Sequence, residues 1–364
     1  MITKGMMLTM KSLAVIRPGD LRDKNPETGG IIEIIDVPEP QVCGPTEVKI
    51  KVAYCAICAS DPHVAENIFG RTPPYGMGHE ISGVIVDMGP EVNTKNLKIG
   101  DRVAGNFLRA CGRCYECQDG HPEFCTHAID EGKAPGYAEY VIWDEGQVWK
   151  IPDDMPLRKA CLLEPTSIAV RVTDKTEMKM GQRAFIQGGG PIGLMCAQIL
   201  KMKGATDLTV SEPRADRREL ALKFGADHVI NPMEQDVVEE CMRITEGRGY
   251  DTIIEITGVP SIADVPLKVA RKGAHILYVA MYDDGVAMSV PMTDTFHNRN
   301  LTLTSTTVAP YCFPRAVQIL SRMELDDFMP ISFPLDQAKE AFDAFFTTQY
   351  LKVLINCNED LADK

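Results

Sequence analysis

The sequence predicts an α/β protein of two domains, a mostly β region interrupted by a doubly wound parallel sheet with helices on both faces. Three observations point there. The chain has 364 residues, more than the roughly 250 to 300 at which a single hydrophobic core stops growing. Near Gln182 its rhythm changes from short, punctuated β-rich runs to a regular alternation of strand and helix. At that change a glycine cluster, Gly188, Gly190 and Gly193, separates an apolar run from a helix-like one.

Glu47–Ala53, Glu80–Asp87, Arg102–Gly105 and Tyr137–Val141 are β-rich runs set apart by Gly and Pro, which makes the first part irregular and mostly β. Then follow strand Arg183–Gln187, a helix to about Met202, strand Leu208–Ser211, helix Arg214–Phe224, strand His228–Asn231 and helix Gln235–Thr245. Strand Thr252–Ile256, helix Ser261–Ala270 and strand His275–Ala280 complete the alternation, the pattern of a nucleotide-binding sheet. After strand Leu301–Ser305, helical segments at Phe313–Met323 and Leu335–Phe346 and an apolar strand Lys352–Ile355 do not extend it. The tail is therefore expected to rejoin the first region, giving domains at 1–165, 166–308 and 309–364.

Composition narrows the function. With 45% hydrophobic and 24% charged residues the chain has the balance of an ordinary globular protein. A net charge of −13 repels phosphate backbones and anionic lipid, so a small neutral or weakly charged molecule is the expected partner, and not nucleic acid or membrane. No apolar run is long enough to span a bilayer, and Met1–Lys11 lacks the pattern of a signal peptide, so a cytoplasmic location is expected. Twelve cysteines, unevenly clustered, then point to metal binding over a disulfide framework.

Gly188, Gly190 and Gly193 form G-x-G-x-x-G between a strand and a helix. The first glycine permits the turn, the second admits the pyrophosphate, and the third lets helix and strand pack closely. Pro191 suits the first helical turn and Ile192 lies inside the same loop, whose N–H groups and positive partial charge favour an anion. Glu212, 24 residues after Gly188, stands where a carboxylate accepts both adenosine ribose hydroxyls and repels a 2′-phosphate, favouring NAD over NADP. Arg214, Arg217 and Arg218 read as a solvated helix face from which one, Arg217, could swing toward a phosphate.

Cys111, Cys114, Cys117 and Cys125 have C-x2-C-x2-C-x7-C spacing in a glycine-containing loop. Four thiolates so placed can enclose one tetrahedral zinc with no open position, a structural site; an iron–sulfur cluster or oxidised pairs are the competing readings. His121 in the same loop reads as a surface residue. A second constellation comprises Cys58, Ser60, Asp61 and His63, with His79 and Glu80 some 21 residues after Cys58. A thiolate, an imidazole and a carboxylate would leave one position of a zinc ion open to substrate.

Assembled, these residues resemble the zinc-containing medium-chain dehydrogenase/reductase family from about Met10 to Asn356. Cys58-Ala-Ser-Asp-Pro-His63 is similar to the family's first zinc-ligand segment. Gly78-His-Glu-Ile-Ser-Gly83, with Gly89 and Val92, is similar to its zinc-site signature, and Gly100-Asp-Arg-Val103 follows. The resemblance implies a GroES-like outer domain built from both chain ends and a Rossmann coenzyme domain. It implies that Cys58 and His79 ligate a catalytic zinc, with Glu164 of Leu-Leu-Glu-Pro as third ligand and Glu80 as alternate. This carboxylate variant looks like the sorbitol, butanediol and threonine dehydrogenase branches. Val279 and Met281 fall near the expected nicotinamide contact, where Ala280 replaces a frequent glycine.

The activity so implied is oxidation of a secondary alcohol, diol or polyol with hydride transfer to NAD, using two zinc ions per chain. Ser60 would accept the substrate proton and pass it through the ribose to His63, a residue type suited to exchange near neutral pH. Pro62 stiffens this segment. L-Threonine, favoured by Ser211-Glu-Pro, is the alternative substrate, and a nicotinamide-binding regulatory protein the non-enzymatic alternative. A homotetramer is expected from the resemblance to bacterial polyol dehydrogenases, with a dimer next.

Overall fold

A computed structural model describes residues 8–128 and 135–362; the opening residues 1–7, read above for export signals, lie outside them. In chain order the strands are β1 (Thr9–Arg17), β2 (Ile31–Pro38), β3 (Glu47–Ala56), β4 (Tyr75–Gly76), β5 (Glu80–Met88), β6 (Arg102–Gly105), β7 (Tyr140–Asp144) and β8 (Val148–Lys150). They continue with β9 (Arg183–Gln187), β10 (Asp207–Ser211), β11 (His228–Ile230), β12 (Tyr250–Glu255), β13 (Ala270–Tyr278), β14 (Thr302–Ser305), β15 (Ile331–Pro334) and β16 (Val353–Asn356). Two compact units emerge: Met1–Pro165 with Ala316–Lys364, and Thr166–Arg315. The return to the first unit comes at Ala316, inside helix Phe313–Leu320, where the sequence pattern placed it at residue 309.

The first unit is mostly β. One sheet runs β15-β16-β3-β5-β6-β8, with β7 also paired to β3, and a smaller one runs β2-β1-β4. Its core joins both chain ends, since Val52, Ile81, Trp143, Phe342 and Ile355 belong to one buried cluster. β3 pairs antiparallel with both β5 and β16. Consequently Ala56 has Glu80 on one side and Leu354 on the other, and three distant segments meet where β3 ends.

The strand expected at Tyr137–Val141 begins at Tyr140. Tyr137 instead bridges a loop and β1, its N–H bonding the Met77 carbonyl at 3.1 Å and its carbonyl accepting from the Leu13 N–H at 2.8 Å. Its ring is buried.

The second unit is a Rossmann-type parallel sheet in the order β11-β10-β9-β12-β13-β14. Phe185, Ile253 and Ile276 from adjacent strands fill its core. β12 is buried along its whole length, as expected of a central parallel strand covered on both faces. The helix expected over Ser261–Ala270 is only Val265–Val269, preceded by a 3₁₀ turn at Pro260–Ile262. Pro266 has no N–H to donate and is accommodated only in a first turn, which moves the start of the helix forward. Among the described residues no helix is long and apolar enough to cross a membrane.

Candidate metal centres and coenzyme site

In the first unit Cys58, His79 and Glu80 each offer one ligand atom, and these atoms lie within 4.8 Å of one another. The sheet explains the convergence. Cys58 stands two residues beyond the end of β3, while His79 and Glu80 stand at the start of β5, and the register pairs Ala56 with Glu80. Gly78 has φ +99°, and a Cβ there would lie 2.6 Å from the Tyr137 ring. A larger residue would therefore disturb the turn that delivers His79.

Asp61 supports these groups from behind. It is fully buried, and its Oδ2 accepts from the Cys58 N–H at 2.8 Å and from the Tyr137 hydroxyl at 2.5 Å. Its Oδ1 lies 3.6 Å from His79 Nδ1, longer than a hydrogen bond but close enough for its charge to favour a ring that offers Nε2 to an ion. Tyr137 was not legible as part of this site. Burial, reinforced by Asp61, raises its phenol well above the ordinary range and keeps it a proton donor.

Glu80 carries a second buried contact. Lys352, one residue before β16, donates to Glu80 Oε1 at 2.5 Å, to Oε2 at 2.7 Å and to the Ile57 carbonyl at 3.2 Å. Burial alone would lower the Lys352 ammonium, but the negative groups Glu80, Cys58 and Glu164 outweigh it and hold its pKa above the usual lysine value. Glu164, expected as third ligand, is not one of the three convergent residues. It is buried in the first turn of helix Leu163–Lys175, close enough to act on the same ammonium. Glu80 follows His79 in the chain and is set opposite Ala56 by strand register, whereas Glu164 arrives on a helix with no strand pairing to fix it.

Ser60 is half-buried and precedes the short helix Asp61–Ala65 without capping it through its side chain. His63 lies one turn further on, exposed, with Nδ1 3.3 Å from Glu66 Oε2.

The four loop cysteines, Cys111, Cys114, Cys117 and Cys125, also converge within 4.8 Å, and none is in a disulfide. Gly112 and Gly120 take positive φ and fold the loop back on itself. Backbone N–H groups solvate the sulfurs: Cys125 Sγ accepts from Cys111 at 3.2 Å, and Cys111 Sγ from Cys114 at 3.3 Å. The Cys117 N–H leads in lowering the Cys114 thiol to about 5, whereas burial pushes Cys117 up to about 12. Four thiols in contact cannot all ionise without a cation among them, so the donor set fits a closed divalent site. His121 is exposed and its Nδ1 lies 3.5 Å from Glu123 Oε1. On this reading Cys114→Ser lowers thermal stability and releases about one zinc per chain, because such a site contributes folding free energy; calorimetry with metal analysis checks it, and an unchanged midpoint would count against it.

In the second unit Gly188 has φ +117°, directly after β9. A Cβ at Gly193 would lie 2.0 Å from the Gly188 carbonyl, whereas one at Gly190 would enter empty space. That opening, at the N-cap of helix Pro191–Met202 which includes Ile192, is where a pyrophosphate fits against free N–H groups. Glu212 directly follows β10 and is nearly fully buried. Its Oε2 accepts from Gly189 N–H at 2.8 Å and its Oε1 from Arg214 N–H at 3.0 Å. Gly189 thus belongs to the cradle too, since a Cβ there would lie 2.9 Å from the Glu212 side chain.

The three arginines are half-buried and not a solvated face. Arg214 pairs with Asp216 at 2.7 Å, and Arg218 donates to the Glu212 and Pro213 carbonyls. Burial lowers Arg217, with Glu212 opposing it. Val279 donates its N–H to the Glu255 carbonyl at 2.9 Å, and Met281 is exposed.

Comparison with known proteins identifies the family. Residues 44–153 match the family described as alcohol dehydrogenase GroES-like domain, and residues 191–322 that described as zinc-binding dehydrogenase. The L-threonine 3-dehydrogenase of Pyrococcus furiosus is 36% identical over 269 residues, 72% of this chain and 76% of that protein. The scyllo-inosose 3-dehydrogenase of Thermotoga maritima is 32% identical over 360 residues, 90% of each. A Sinorhizobium meliloti 1021 structure, described as a zinc-binding dehydrogenase and solved with NADP, superimposes with TM-score 0.87 at 27% identity, covering 95% of this chain and 99% of that one.

Proposed function

Because the chain belongs to the zinc-dependent medium-chain alcohol dehydrogenase family, we propose that it oxidises a secondary hydroxyl of a diol or polyol, reversibly, with NAD as hydride acceptor. The observation that carries this reading is the convergence of Cys58, His79 and Glu80 within 4.8 Å, backed by buried Asp61. This donor set fits zinc with a position left for substrate. Relatives matched over about nine-tenths of the chain act on inosose and arabitol phosphate, which favours a polyhydroxylated substrate. L-Threonine is the second reading, favoured by the 36% identity to threonine dehydrogenases over a shorter stretch. Twelve free cysteines fit a reducing compartment such as the cytoplasm.

When bound, zinc supplies Lewis acidity that makes a substrate hydroxyl easier to deprotonate. Cys58 and His79 would hold it, with Glu80 or Glu164 as the exchanging carboxylate. Asp61 fixes the imidazole, Ser60 accepts the hydroxyl proton, and exposed His63 releases it to solvent. The coenzyme, held at the Gly188 turn, would supply the hydride acceptor, and the protein's own contribution would be positioning.

Coenzyme choice follows from Glu212. Two of its acceptor positions are taken by Gly189 and Arg214, and the remainder suit ribose hydroxyls, so a 2′-phosphate would meet a buried carboxylate. We expect kcat/KM for NAD to exceed that for NADP by at least about tenfold, roughly 1.4 kcal/mol, even though the S. meliloti relative binds NADP. Initial rates with each coenzyme across diols, sugar alcohols, threonine and simple secondary alcohols test both choices. Activity confined to threonine would replace the polyol reading, and equal use of NADP would overturn the role given to Glu212.

A further inference from the structure

Glu255, the last residue of β12, is fully buried, yet the chemistry above gives it no task. A carboxylate so placed must be hydrogen-bonded to be tolerated. Oε1 accepts from the Thr257 N–H at 2.8 Å and from the Thr257 hydroxyl at 2.5 Å, and Oε2 accepts from the Tyr282 hydroxyl at 2.7 Å. The residue therefore ties two loops together, 256–259 after β12 and 279–282 after β13.

Both loops lie at the carboxyl ends of the parallel strands, where doubly wound sheets bind ligands. β9 has β10 on one side and β12 on the other, so the chain order reverses beside the Gly188 turn. Contacts run continuously from there to Tyr282. A Cβ at Gly188 would lie 3.0 Å from Thr257 Cγ2, and one at Gly258 would lie 2.8 Å from the Met281 carbonyl. The Val279 N–H bonds the Glu255 carbonyl at 2.9 Å. After Tyr282 the run Asp283–Ala287 is exposed, so the phenol fastens the segment where it leaves the packed part of the unit.

We propose that Tyr282 and Glu255 form a latch that presets the Val279–Met281 segment for the coenzyme, making Tyr282 a positioning residue for coenzyme affinity. The inference rests on the coenzyme reading given above. Without the latch the segment would have to be ordered at the moment of binding, and that cost appears as weaker affinity. Burial and the facing carboxylate both raise the Tyr282 phenol, which keeps its proton in place as donor. A latch needs only the bond and not the negative charge. In Glu255→Gln the amide can donate to the phenol oxygen while its carbonyl still accepts from Thr257.

The test is titration of the zinc-loaded protein with NADH, followed by fluorescence, alongside steady-state kinetics with NAD. Tyr282→Phe is expected to raise the NADH Kd and the coenzyme KM about fivefold, roughly 1 kcal/mol, with the loss falling on KM and not on kcat. Glu255→Gln is expected to stay close to wild type. If wild type takes up no NADH, the coenzyme reading itself fails and the latch with it. If wild type binds but Tyr282→Phe binds equally well, the latch alone is overturned. Glu255→Gln weakening NADH binding as much as Tyr282→Phe would also overturn it, by showing that the charge matters and not the bond.

Discussion

Cys58→Ser and His79→Ala are each expected to lower kcat/KM by about 10³-fold or more, while binding of NADH, read from its fluorescence, is retained. The magnitude is that of losing several kcal/mol of charge stabilisation at the reacting oxygen. The selectivity follows from the architecture, because the glycine cradle is held by a separate unit with its own buried core around Phe185 and Ile253. Loss of coenzyme binding in these variants would instead indicate a folding defect, and retained turnover would remove both residues from the chemistry. Asp61→Asn should fall between these extremes. Its backbone and phenol contacts survive as hydrogen bonds but the charge beside His79 Nδ1 is lost, a change of the kind that costs about 10- to 100-fold in metal affinity or activity.

Lys352→Met is expected to destabilise the first unit strongly. The Lys352 ammonium and the Glu80 carboxylate are both almost wholly buried, and removing one partner leaves the other charged in a medium that solvates it poorly, a cost of about 3 to 5 kcal/mol. The double variant Lys352→Met/Glu80→Gln should recover most of that loss, because replacing both members of a buried pair is often neutral. Zinc adds a distinguishing condition. Where an ion is present Glu80 has a second cation to turn to, so the single variant should be less destabilised with zinc than after chelation. Denaturant unfolding of both variants, with and without chelator, measures this; equal losses in single and double variants would contradict the pairing.

What was legible in the sequence was chemistry written at short range. The four-cysteine loop and the glycine turn are compact in the chain, so spacing alone brings their atoms together. Cys58 and His79 were also recognisable, although what joins them is the pairing of β3 with β5. Contacts that depend on distant register were not legible. Lys352 reaches Glu80 across 272 positions, and its only local signal was a lysine heading an apolar strand. Tyr137 reads as a strand residue until the loop carrying Met77 claims its N–H. β1 was not legible because it is buried on both faces through Leu13–Val15, which erases the alternation that marks a half-buried strand. The third metal contact divided the carboxylates in the same way: Glu164 was suggested by motif, whereas strand register favours Glu80.

The proposed activity requires Cys58, His79 and a carboxylate to hold a metal ion apart from the four-cysteine loop. Metal analysis of wild type, Cys58→Ser and His79→Ala measures this directly. Wild type should carry about two zinc ions per chain, with about one remaining in each variant, because the closed thiolate site is untouched. Wild type holding only one ion, or both variants keeping two, would contradict it.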